Sequence, residues 1–225
     1  MLIIGAVTVF ALLRPDPYLL SRSELGHVIK KRERGSTKMA FGLIRKSPDA
    51  SLALAAIVIG HITMVSIMVM TPVHMRHVEV SLKVIGLVIS VHILGMYLFA
   101  PVMGSLSDRL GRRAVIRLGV LILFLSAIIS GRSAADDAIS LGLGLFLLGL
   151  GWSATIVAGS TLLSESIDIE HRPAVQGASD LMMNGAGAIG GAGAGVIIAV
   201  ASYGWLCGLS LIPVAALGAM AFKNR

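Results

Sequence analysis

Six unbroken apolar runs, roughly residues 51–73, 82–105, 114–131, 138–163, 174–201 and 203–222, take up most of this 225-residue chain and leave few folds open to it. At ~1.5 Å of rise per residue, each is about long enough to cross a hydrocarbon layer ~30 Å thick as a helix. Inside a bilayer the backbone N–H and C=O groups have no water to bond, so a spanning segment must be a helix or part of a closed barrel. A barrel needs polar and apolar residues to alternate, and these runs do not. Composition agrees: 56% of the residues are hydrophobic and 14% charged, far from a soluble domain. The expected fold class is all-α, a polytopic membrane protein whose six-helix transmembrane bundle occupies 51–225.

The charges lie between the runs. A net charge of +7 would suit a nucleic-acid binder if the basic residues shared one soluble face, but they cluster in a few loops, so no nucleic-acid partner is expected. Nine of the nineteen Lys and Arg residues fall between Arg14 and Lys46, and the segment 14–50 is read as a basic connector. If it lies inside, Arg109, Arg112, Arg113, Arg117, Arg172, Lys223 and Arg225 lie inside too, leaving Arg76, Lys83 and Arg132 outside. That asymmetry predicts a cytoplasmic connector and C-terminus in a plasma (inner) membrane. Within the connector, Ser21-Arg22-Ser23-Glu24 followed by Leu25, Val28 and Ile29 fits either an amphipathic helix at the headgroups or a solvated linker. The opening run, 1–13, is too short to cross, and Arg14-Pro15-Asp16-Pro17 directly after it does not resemble a signal-peptide cleavage site. It is expected to be the remnant of a preceding transmembrane helix. Pro101 and Pro213 fall within runs and are expected to kink them.

Between the second and third runs, Gly104-Ser105-Leu106-Ser107-Asp108-Arg109-Leu110-Gly111-Arg112-Arg113 brings four formal charges together. Gly104 and Gly111 suit a tight turn and close backbone approach, and Asp108 can accept from a helix N-terminus or pair with an arginine. Arg109, Arg112 and Arg113 would hold the loop inside. The plainer alternative is a positive-inside loop with an incidental carboxylate.

The pattern Gly104-x-x-x-Asp108-Arg109-x-Gly111-Arg112-Arg113 resembles the loop signature of the major facilitator superfamily. In that family the signature lies between the second and third helices and recurs between the eighth and ninth. Here it follows the second complete span after a long basic connector, so the chain resembles the C-terminal half, helices seven to twelve. Glu170-His171-Arg172 leading to Gln176-Gly177 is similar to the loop between the tenth and eleventh helices of drug-efflux-like members. The resemblance implies a secondary transporter that moves a small molecule by alternating access, in most members driven by an ion gradient. It implies proton-coupled efflux of a lipophilic compound, a role for Asp108 in latching one conformation, and a missing N-terminal six-helix bundle or partner chain. A truncated or half-length protein, inactive without that bundle, is the other reading.

Ionisable groups within spans are costly and so are candidates for function. His61 and His92 each fall mid-span, where a coupling proton or substrate would sit, although a neutral histidine bonded to a neighbouring helix fits as well. Gln176, Asp180 and Asn184 recur every four residues and share one helical face, continued by Gly187, Gly191 and Gly195 with Gly190 and Gly193 beside them. The glycines predict a close helix contact, and Asp180 either a gating carboxylate or a structural ion pair. Trp152, near the middle of its run with Ser153 and Thr155, either faces a cavity and stacks on substrate or packs in the core. Methionines 64, 68, 70, 75 and 96 suggest an adaptable wall or ordinary filling. Cys207, the single cysteine, forms no intrachain disulfide. No Ser/His/Asp set, GxxxxGK[ST] loop, HExxH motif or zinc-ligand spacing is present, so neither an enzyme nor a metal or cofactor is expected.

Overall fold

The computed structural model describes residues 37–223. The opening run and the stretch 21–29 lie outside them. Eight helices follow in order: α1 (Thr37–Lys46), α2 (Pro48–Arg76), α3 (Leu82–Tyr97), α4 (Ala100–Leu110), α5 (Arg112–Arg132), α6 (Ala138–Glu165), α7 (Arg172–Val200) and α8 (Tyr203–Lys223). Helices α3 and α4 form one span, so the described residues contain six helices long and apolar enough to cross a membrane. This is an all-α, six-helix integral membrane bundle.

Local chemistry sets the helix ends. Ser47 accepts from the Ala50 N–H at 3.2 Å with Pro48 in the first turn, where its missing N–H costs nothing. Asp137 accepts from the Ser140 N–H at 3.0 Å and starts α6. The Asp137 carboxyl is held below the usual range, chiefly by the Ser140 hydrogen bonds. Pro101 has no N–H for the carbonyl of Tyr97, and the helix breaks at Leu98 and Phe99, just before it. Pro213 and Pro72 lie inside continuous helices.

The apolar runs underestimate the helices. The sequence ends one span near 105 and starts the next at 114, whereas α4 runs to Leu110 and α5 begins at Arg112. Gly111 alone joins them, at φ 90°, a conformation that favours glycine. Gly104 does not turn at all: it is helical, and a Cβ there would meet nothing within 4 Å. Polar residues at a helix end still satisfy their backbone bonds in the helix, so hydropathy marks the bilayer rather than the end of the helix.

Helix α6 is central, packed against α5, α3 and α2. In its most apolar window 61% of residues are buried, against 17% in α7, so α7 lies at the edge of the bundle. Lipid tails are as apolar as leucine, and helices in a bilayer therefore associate through close packing more than by excluding water. Leu141, Leu145 and Leu148 are fully buried on α6. Gly149 lets α3 approach so closely that a Cβ would strike the His92 carbonyl and lie 2.8 Å from the Met96 nitrogen. Met64, Met75 and Met96 fill the core. At one end, the Arg117 guanidinium donates to the Ala221 carbonyl at 2.9 Å and lies over the Phe222 ring, tying α5 to α8.

The connector also contributes structure. Its last part is α1, whose Ala40 and Ile44 are buried and which packs on α7 and α2.

Candidate functional site

Two residues picked out separately in the sequence meet in the middle of the bundle. The Trp152 Nε1–H on α6 donates to Nδ1 of His61 on α2 at 3.2 Å. The ring centroids are 6.4 Å apart. Tyr97, the last residue of α3, presents an edge contact to the same indole, with centroids 6.1 Å apart and planes at 73°. Helix α7 closes the other side: a Cβ at Gly187 would sit 2.8 Å from Nε2 of His61, so glycine there leaves room for the imidazole. Thr155 donates to the Trp152 carbonyl at 2.9 Å. Two helices thus bring aromatic groups to the His61 site, Trp152 against the imidazole and Tyr97 against the indole, and a third leaves room for the ring with Gly187. His61 and Trp152 are half-buried and Tyr97 is exposed.

His92 is arranged differently. It is fully buried between α3 and α6, and Nδ1 donates to the Leu145 carbonyl at 2.8 Å. A carbonyl only accepts, so Nδ1 carries a proton; Nε2 has no partner among the described residues. His92 therefore lies in the α3–α6 contact, apart from the His61–Trp152 pair.

The charged end forms two further clusters. Arg112 pairs with Asp108 one turn earlier at 2.5 Å and with Glu165 at the end of α6 at 2.8 Å. Arg113 pairs with Asp49 in the first turn of α2 at 2.5 Å. Asp108 is thus bound to an arginine of its own motif, while 72% of its side chain remains exposed. Arg109 is exposed. Sequence reasoning missed Asp49, Glu165 and Tyr97. The available signal was position: each sits at the end of an apolar run or helix, where α2, α6 and α3 meet the motif or the indole.

On α7 the spacing of four holds: Gln176 donates to the Asp180 carboxylate at 3.2 Å, and the Asn184 side chain donates to the Asp180 carbonyl at 2.8 Å. Asp180 and Asn184 are exposed and contact no other described helix through these bonds. Arg172 donates to the Ile167 carbonyl at 3.1 Å and so closes the preceding loop. Gly177 faces open space. The glycine stripe divides: Gly187, Gly190 and Gly191 lie against α2, whereas a Cβ at Gly193 would meet nothing.

No group of three or more His, Cys, Asp or Glu residues among those described could hold a metal ion.

The sequence profile of the Major Facilitator Superfamily matches residues 52–225. The chain is 36% identical to the uncharacterized MFS-type transporter YdeG of Bacillus subtilis, over 94% of this chain and 50% of the relative. It is 33% identical to the uncharacterized MFS-type transporter YddS of the same organism, with the same coverage. The riboflavin transporter RfnT of Brucella anthropi is 28% identical over 75% of this chain and 42% of its own length. The chain spans about half the length of the first two relatives.

Proposed function

The chain belongs to the major facilitator superfamily, and on that premise we propose that its spans form one bundle of a proton-coupled, alternating-access transporter with His61 as proton carrier. The Trp152–His61 hydrogen bond carries this reading. An indole N–H only donates, so Nδ1 of His61 must keep its lone pair free. A proton taken up at that nitrogen turns the acceptor into a donor and breaks the bond. Proton uptake and the engaged indole therefore exclude each other, which is the logic a coupling site needs.

Trp152 and Tyr97 offer aromatic surface to a flat or cationic lipophilic substrate. The relative named for riboflavin, a flat aromatic molecule, supports such a substrate. The proposed direction is efflux. The basic clusters support a cytoplasmic position for the Asp108 end. There the exposed carboxylate of Asp108, held by Arg112, which Glu165 holds in turn, serves as one side of a latch toward a second bundle. Asp108→Asn is expected to slow conformational cycling more than it weakens substrate binding.

Exposed Asp180 and Asn184 on α7 support the second reading, that this bundle is inactive without another. Polar groups within a span are costly against lipid, so a facing bundle would cover them. That bundle comes from a longer polypeptide or from a partner chain.

The test uses the complete transporter in proteoliposomes under an imposed pH gradient. His61→Gln should abolish gradient-driven flux while preserving substrate exchange, and Trp152→Phe should shift the pH profile. Flux insensitive to an uncoupler, with the His61→Gln profile unchanged, would refute the proton role. Saturable uptake by this chain alone would refute the need for a second bundle.

A further inference from the structure

A crevice of about 240 Å³ lies between α2, α7 and α8. It is separate from the His61 site. At ~100° per residue, Thr63 lies about 200° and Ser66 about 140° around α2 from His61, so both look out from the opposite side of that helix. They lie near the middle of α2, at the depth of the hydrocarbon.

The walls are apolar, with Ile189 and Leu209 exposed at the mouth. Two backbone-forming choices give the crevice its shape and polarity. Glycine at 193 leaves open space where a side chain would project. Pro213 has no N–H, so the carbonyl of Leu209, one turn back, lacks its helical donor. Opposite, Thr63 is 2% exposed and its hydroxyl has no hydrogen-bond partner among the described residues. A buried hydroxyl without a partner is rare in a folded protein, and this one lines the crevice.

We propose that the crevice binds one small lipophilic molecule carrying a single hydroxyl group, an alkanol or phenol, that enters from the hydrocarbon. The hydroxyl can accept from Thr63 and donate to the Leu209 carbonyl, while the apolar remainder lies against the walls. Size and chemistry exclude the other occupants. A helix is ~10 Å across with its side chains, and the volume falls below the ~300 Å³ where drug-sized pockets begin. An acyl chain fills the walls but leaves Thr63 unpaired.

The full chain in liposomes is photolabelled with a diazirine-bearing octanol and, in parallel, with the matching diazirine alkane that lacks the hydroxyl. The octanol probe is expected to label residues 62–66, 189–197 and 206–213, and unlabelled octanol should compete. Thr63→Val should lower that labelling about two- to ten-fold, the range of one net hydrogen bond. Gly193→Leu, which grows into open space, should abolish it, and Gly86→Leu on α3, equally unhindered, should leave it unchanged. Labelling spread evenly over exposed residues such as Leu121 and Ile139 would overturn the proposal. So would equal labelling by the alkane with no effect of Thr63→Val, which would make the occupant an acyl chain.

Discussion

Gly149→Ala should be among the most damaging single-methyl changes in this bundle. The added Cβ would strike the His92 carbonyl and lie 2.8 Å from the Met96 nitrogen and 3.1 Å from the Gly95 carbonyl carbon. These are backbone atoms, so no side chain can turn aside. Reaching an ordinary 3.4–4 Å contact requires α3 and α6 to part by about an ångström, and such overpacking costs ~1–3 kcal/mol. The same separation stretches the 2.8 Å bond from His92 to the Leu145 carbonyl beyond useful length. Interhelical hydrogen bonds in membranes are worth ~0.6 kcal/mol on average. Against this, alanine regains up to ~1 kcal/mol of helix propensity over glycine. The net loss is about 1–3 kcal/mol. Gly142→Ala, in the same helix with nothing within 4 Å of its Cβ, should gain the propensity term alone. The chain supplies its own probe: Cys207 is the single cysteine and is buried, so a thiol-reactive dye reports unfolding in detergent. Gly149→Ala as stable as Gly142→Ala would refute the close α3–α6 contact.

Thr71→Val should destabilise by ~0.5–1.5 kcal/mol, because it removes the 2.8 Å hydrogen bond between Thr71 and the buried Tyr203 hydroxyl; the same thiol assay reads it, with Tyr203 one turn from Cys207. Asp137 has a depressed folded pKa, so its cap contributes fully above the unfolded carboxylate value of ~3.9 and is lost as pH falls through the lower folded value. Asp137→Asn should keep the cap and remove that acid limb, which paired melting curves between pH 2 and 7 would show. Charge reversal of Asp49 or of Arg113 should each lower stability, and the double swap should recover part of it; a double mutant no better than the worse single would exclude a direct pair.

The spans were legible because bilayer thickness and backbone hydrogen bonding act on the sequence directly. Each of the six runs became one helical span, the second of them broken into α3 and α4. Pro101 marked its break, whereas Pro213, which lacks an N–H in the same way, lies inside a continuous helix. Gly111 makes the expected turn because it reaches φ 90° without a Cβ, whereas Gly104, read in the same way, stays helical. The helix ends were not legible, since hydropathy falls at the headgroups while the helix continues, as it does from 105 to Leu110. The motif showed that Asp108 could meet an arginine, and the i,i+4 spacing to Arg112 is local. Glu165 and Asp49 were invisible because they are 53 and 64 residues from their partners.

The candidate site divides along the same line. Sequence placed His61, His92 and Trp152 at mid-span, since depth follows from counting residues along a run. Depth says nothing about which way a helix is rotated. That rotation put His92 inside the α3–α6 contact, turned His61 toward Trp152, and brought Tyr97 and Gly187 around the pair. Rotation depends on which small residues let which backbones approach, and each such contact needs two helices at once. The sequence alone determined how many spans the described residues contain and where along each span the polar groups fall. Only the packed bundle decided which of those groups meet, because in a bilayer helices are oriented by close fit between neighbours, and fit belongs to pairs of surfaces.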